Sequence, residues 1–126
     1  MTEDAEKKLT WNKRDTSGAK TGSWREDDPH GGHMEGTYED DQRVGAWRHF
    51  FANGDLRSEG TYEHGELNGA WVWYRKGGLT MQRGEFRSGV KHGTWKRWDA
   101  QGRQIDEGEF DEGRKVGKWT KFPSGE

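Results

Sequence analysis

The stretch Gly45-Ala46-Trp47-Arg48-His49-Phe50-Phe51-Ala52-Asn53-Gly54-Asp55-Leu56 decides the fold, because the chain repeats its outline every 24 residues. Gly45 returns as Gly69, Gly93 and Gly117. Trp47 returns as Trp71, Trp95 and Trp119, and Phe50 as Tyr74, Trp98 and Phe122. Upstream of the stretch, Gly36 and Tyr38 return as Gly60 and Tyr62, then Gly84 and Phe86, then Gly108 and Phe110. One unit reads G-x-[YF]-x6-G-x-W-x2-[FYW]-x3-G. A fixed period with aromatics in phase marks a linear array of stacked units, each of which needs its neighbours to complete its burial.

Each unit predicts two short strands. Leu56 to Glu63 alternates a mixed face at Leu56, Ser58, Gly60 and Tyr62, and Ala70 to Arg75 forms an aromatic second strand. Residues 64–69 read as a glycine-bracketed turn, and Gly54, Gly78 and Gly102 mark the return turns, where glycine supplies positive φ. Glycine is 20 of 126 residues, too dense for helices. Gly36, Gly60, Gly84 and Gly108 lie inside strands, two residues before an aromatic. Glycine weakens a strand unless something approaches its backbone closely, and a tryptophan ring from the neighbouring strand is the natural candidate. Trp47 and Phe50 are three apart, so a regular strand places them on opposite faces and a bulge is the alternative. The expected fold is all-β: an elongated single-layer meander of β-hairpins. Residues 1–8 read as a disordered leader and 9–35 as a degenerate capping repeat, with Asp15 and Asp27 in the first and third aromatic columns. Four fuller units follow at 36–59, 60–83, 84–107 and 108–126.

Composition narrows the function classes. Charged residues are 35% and hydrophobic residues 27%, with most aromatics locked into the repeating columns, so the structure is thin but ordered. Net charge is −2 with interspersed signs, which argues against a nucleic-acid partner and makes membrane binding unexpected. There is no cysteine, hence no disulfide or thiol chemistry. No run of about 20 apolar residues spans a membrane, and no signal peptide opens the chain, so a cytoplasmic location is expected. No serine sits in a nucleophile elbow and no carboxylate pair stands out, so no enzyme and no cofactor is expected. His30 and His33, close to Asp27 and Asp28, form the one His-x2-His pair that a Zn²⁺ or Ni²⁺ ion fits, though a polar loop explains it as well. Acids on first strands (Glu59, Glu85, Glu107) and bases on second strands (Arg48, Lys96, Lys121) predict cross-strand ion pairs.

The segment 45–56 resembles a MORN repeat in its short bacterial form, whose signature resembles G-x-W-x2-Y-Y-x2-G-x-L. Residues 69–79 and 93–102 match it with drift. The resemblance covers about 36–122 with a weak extension to residue 9, and the 24-residue period is slightly longer than that of the family. It implies a twisted hairpin meander. Such arrays serve as protein-binding scaffolds, as phospholipid-binding modules, and in bacteria as antitoxin or immunity partners of toxins; a structural subunit of a larger assembly, joined through open sheet edges, is the alternative that the sheet itself suggests. Small chains of this length resemble the last group most. The implied role is a non-enzymatic module occluding a partner protein, a toxin or a component of a larger assembly.

Where binding resides follows from departures from the pattern. Trp11, Phe51 and Trp73 are aromatics outside the repeating columns. Trp73 occupies the place that the other units give to His49, Arg97 and Lys121. The expected partner-binding residues are His49, Phe51, Trp73, Arg97 and Lys121, because Trp and Arg are enriched at interface hot spots. The alternative for Trp73 is that it fills a local gap in the sheet.

Overall fold

The computed structural model describes residues 11–123, so the expected leader at 1–8 lies outside the described residues. Ten strands follow in chain order: β1 (Lys13–Arg14), β2 (Lys20–Asp27), β3 (His33–Glu39), β4 (Gln42–Phe50), β5 (Leu56–Glu63), β6 (Glu66–Tyr74), β7 (Thr80–Arg87), β8 (Val90–Trp98), β9 (Gln104–Asp111) and β10 (Arg114–Lys121). Each pairs antiparallel with the next in one open meander sheet, and the described residues contain no helix.

Two kinds of turn line the two edges. On one edge, Asp40-Asp41, His64-Gly65, Ser88-Gly89 and Glu112-Gly113 carry positive φ at both residues. That is the twist-matched two-residue hairpin turn, which usually demands glycine or an Asn/Asp-type residue. The turn expected over 64–69 is therefore shorter than the sequence suggests. β6 starts at Glu66. On the other edge, Gly54, Gly78 and Gly102 have φ of 94°, 103° and 86°. Their N–H groups close the turns onto the carbonyls of Phe51, Arg75 and Asp99 at 2.9–3.0 Å.

Gly69 has another task. Gly45, Gly69, Gly93 and Gly117 sit inside strands at φ 68–78°. At each, the register against the preceding strand slips: Glu35 pairs with Arg48 but Thr37 with Val44, so 45–47 face Gly36 alone. The same slip recurs opposite Gly60, Gly84 and Gly108. The left-handed glycine folds the strand back and swings the following tryptophan over the glycine of the strand before it. A Cβ on Gly36, Gly60, Gly84 or Gly108 would fall within 3.0 Å of the ring of Trp47, Trp71, Trp95 or Trp119, where real Cβ atoms essentially never sit. The indole N–H groups of Trp47, Trp71 and Trp95 then donate to the carbonyls of Thr37, Thr61 and Glu85 at 3.0–3.2 Å.

These rings share one face with the first aromatic column. Trp24, Tyr38, Trp47, Tyr62, Trp71, Phe86, Trp95, Phe110 and Trp119 touch in series, with centroids 5.2–6.4 Å apart and planes 72–90° apart. Such edge-to-face pairs add about 0.5–1.5 kcal/mol each beyond their burial. This ladder is the core, and Trp47 is 1% exposed. Below Trp24 the ladder ends on a cation, with the Arg14 guanidinium 5.4 Å from the ring. Asp15, expected in that column, instead accepts backbone N–H groups in the turn before β2. The turn between Arg14 and Lys20 is one residue longer than those between Tyr38 and Arg43 or Phe86 and Lys91, so Arg14 takes the place of Asp15.

Phe50, Tyr74 and Trp98 lie on the opposite, charged face. The first alternative raised by the three-residue spacing holds: aromatics occupy both faces, and the extra residue opposing each of these rings, Arg57, Met81 or Ile105, lies on the neighbouring strand. The charged face is only half-buried. There Arg48 pairs with Glu59 at 3.6 Å, and Tyr74 donates to Glu59 at 3.0 Å.

Gly84→Val tests the stacking. Valine normally favours strands, yet here its branches must displace the Trp95 ring. A loss of at least about 3 kcal/mol in urea melts is expected, whereas Thr94→Val on the other face should change stability by less than about 1 kcal/mol. Equal, mild effects would contradict the ring-over-glycine contact.

Candidate binding surface

Cross-strand register carries the candidate stripe across the ladder face. Met34 pairs with His49, His49 with Ser58, Ser58 with Trp73, Trp73 with Gln82, Gln82 with Arg97 and Arg97 with Asp106. Lys121 closes the row opposite Asp106. Four of the five expected residues are thus brought into one line, immediately beside the aromatic ladder. Phe51 stands apart in the turn after β4, where Arg57 and Lys76 lie 5.5 and 5.7 Å from its ring. With Asp28, His30 and Phe50 it lines a separate hollow of about 330 Å³.

Each member of the row is held differently. Trp73 is half-buried and makes three ring contacts: 6.0 Å to Trp71, 5.7 Å to Trp95 and 6.2 Å to Phe86. It fills the gap between two ladder tryptophans and leaves its outer side to solvent. Arg97 binds Asp106 through two hydrogen bonds, Nε to Oδ1 at 3.0 Å and an Nη to Oδ2 at 2.6 Å. Asp106 is 4% exposed, and this charge-assisted fork from Arg97 lowers its pKa despite burial. Half of the Arg97 side chain stays exposed. Lys121 is exposed.

His49 belongs to a small polar cluster. Its Nε2 lies 2.7 Å from Asp28, whose other oxygen faces the His30 ring at 3.1 Å. The backbone N–H of His30 also donates to Asp28, and together with His49 it pulls the Asp28 pKa down to about 2. His33 does not join them. It stacks on Phe50 at 4.8 Å and lies 3.6 Å from Glu35. The two histidines expected as a metal pair therefore diverge, and the described residues contain no cluster of three His, Asp or Glu side chains suited to a metal ion.

One column escaped the reading of the sequence. Lys20 lies 4.8 Å from both the Trp24 and Tyr38 rings. Arg43 lies 4.6 Å over Trp47 and 5.4 Å from Tyr62. Lys91 is 4.9 Å from both Trp95 and Phe110, and Lys115 is 4.5 Å over Trp119. The 43, 67, 91, 115 spacing was available, but basic residues are so common here that no basic column stands out by composition. The exception is Leu67. The unit that replaces the cation with leucine is also the unit that adds Trp73, so the middle of the ladder face is its most apolar part.

Compared with known proteins, the chain matches no family model and no curated relative. Among the described residues no helix is long and apolar enough to cross a membrane.

Asp28 gives a pH test. A depressed carboxyl pKa stabilises the fold above the unfolded value of about 3.8, and that contribution is lost as pH falls toward about 2. Asp28→Asn should be less stable than the parent at pH 5, and the two melting curves should converge by about pH 2. A difference unchanged across that window would show that Asp28 is not held as a charged acceptor.

Proposed function

We propose that the chain is a non-enzymatic protein-binding module, an antitoxin or immunity-type protein that occludes a partner toxin with its ladder face. The observation that carries this reading is the single row of His49, Trp73, Arg97 and Lys121 beside the ladder, with the apolar Leu67–Trp73 centre flanked by charged ends. An apolar anchor with a polar rim is the usual anatomy of a protein interface. The shallow hollows of the surface suit an extended partner better than a small substrate, which normally takes a deep, largely apolar cleft. The MORN-like repeat and its bacterial antitoxin members supply the class of partner.

The partner is to be recovered by affinity capture and identified by mass spectrometry, then titrated against two variants. Trp73→Ala loses ring contacts that other units do without, so it should stay folded while affinity falls by at least about 2 kcal/mol. Trp71→Ala removes a ladder ring and should lose about 3–5 kcal/mol of stability. Parental affinity in Trp73→Ala would move the interface off this row. Equal unfolding of both variants would make Trp73 a core residue.

A further inference from the structure

The two ends of the ladder face build the same shelf and finish it with opposite charge. At the first end, Lys20 and Arg43 flank Trp24 and Tyr38, and Glu26 lies between the two cations. One Glu26 oxygen is 3.2 Å from Arg43 and accepts from the Tyr38 hydroxyl at 2.9 Å, and the other is 3.7 Å from Lys20. At the last end, Lys91 and Lys115 flank Trp95 and Phe110 in the same way. Glu26 stands two residues after Trp24. The residue two after Trp95 is Arg97, and phenylalanine replaces the hydroxyl-bearing Tyr38. The acid has become a base, and a cavity of about 220 Å³ lies there, lined by Lys91, Arg97, Lys115, Gln82 and the ladder rings Trp95 and Phe110.

The charge in this cavity is only partly balanced from within, because one carboxylate, Asp106, serves Arg97, Lys115 and Lys121 together. Among the described residues Lys91 and Lys115 have no carboxylate within ion-pair distance, in contrast to Lys20 and Arg43. Asp106 is already engaged: Arg97 occupies both of its oxygens, and the charges of Lys115 and Lys121 act on it as well. Gln82 adds an amide beside the cations.

We propose that this cavity receives a carboxylate of a partner protein, a Glu or Asp side chain presented by an acidic segment. The proposal rests on the ladder face being the docking face. The chain itself supplies the template: Glu26 shows a carboxylate seated between two ring-stacked cations at the equivalent place, and a volume of this size admits one acidic side chain with a few waters. Two ammonium groups and a half-free guanidinium give it charge-assisted hydrogen bonds of the stronger kind. Trp95 itself offers no platform for a base, being 2% exposed with Gly84 under its ring and Lys91 over it.

The probe is an N-acetylated, C-amidated hexapeptide of alternating Glu and Thr, titrated into ¹⁵N-labelled protein beside its Gln-Thr counterpart. The Glu peptide should shift the indole N–H signals of Trp95 and Trp119 and leave that of Trp24 in place, and the Gln peptide should shift none. Lys91→Gln with Lys115→Gln should weaken binding at least about tenfold. Arg83→Gln with Lys96→Gln, on the charged face, should change it by less than about twofold. The Glu-against-Gln comparison on the parent stands even if the lysine variant folds poorly. Equal binding of both peptides, or full binding by a folded lysine variant, overturns the proposal. So does lysine-dependent binding of phosphatidylcholine–phosphatidylserine vesicles with no response to the Glu peptide, which would assign the cavity to lipid. The docking face is judged separately: a captured partner that needs Trp73 but ignores Lys91 and Lys115 upholds the face and rejects the carboxylate.

Discussion

Everything in this sheet depends on an indole ring lying flat on a bare glycine Cα. The contact needs two glycines per unit: one with no side chain, to let the ring down, and one at positive φ, to fold the strand so that the ring reaches it. Given that pair, the tryptophan is sealed below by backbone and on its flanks by the edges of Tyr or Phe rings. A chain with little aliphatic content thus obtains a buried core from one ring column and its neighbours. Burial follows this order. Trp47, Trp71 and Trp95 are the most enclosed rings, while the third aromatic column, which has no glycine beneath it, stays half-exposed on the other face.

The repeat made most of this legible. In-phase glycines and aromatics fixed the strand number, the meander order and the stacking partner of each in-strand glycine, because these are local consequences of period and sterics. The bulges were less legible. From sequence Gly69 reads as the end of a turn, since a glycine at positive φ looks alike in a turn and in a folded-back strand, and only its hydrogen-bonding neighbours separate the two. Constant spacing from Trp24 puts Asp15 in an aromatic column, because one extra residue in the first hairpin turn cannot be located in a polar stretch by counting. The cation column at 43, 91 and 115 does not stand out in the sequence, because Lys and Arg are abundant at every phase.

The candidate surface was legible in its alignment and not in its energetics. Equal spacing placed His49, Trp73, Arg97 and Lys121 on one row, as the register requires. Their attachments were not visible: His49 is tied to Asp28, Arg97 to Asp106, and Trp73 leans on three ladder rings. Such links arise between strands that the sequence separates. They divide the row into a tethered first end, an apolar middle and a cationic last end, and this gradient, laid on a uniform scaffold, is what a partner could read.

The ring-over-glycine contact has a direct spectroscopic signature. A proton above an aromatic ring is shielded, so the Hα resonances of Gly36, Gly60, Gly84 and Gly108 should lie upfield of those of the turn glycines Gly54, Gly78 and Gly102 in an assigned proton spectrum of the folded chain. Upfield displacement at all four positions is the expected result. In-strand glycine signals that fall among those of the turn glycines would contradict the contact, and with it this account of the fold.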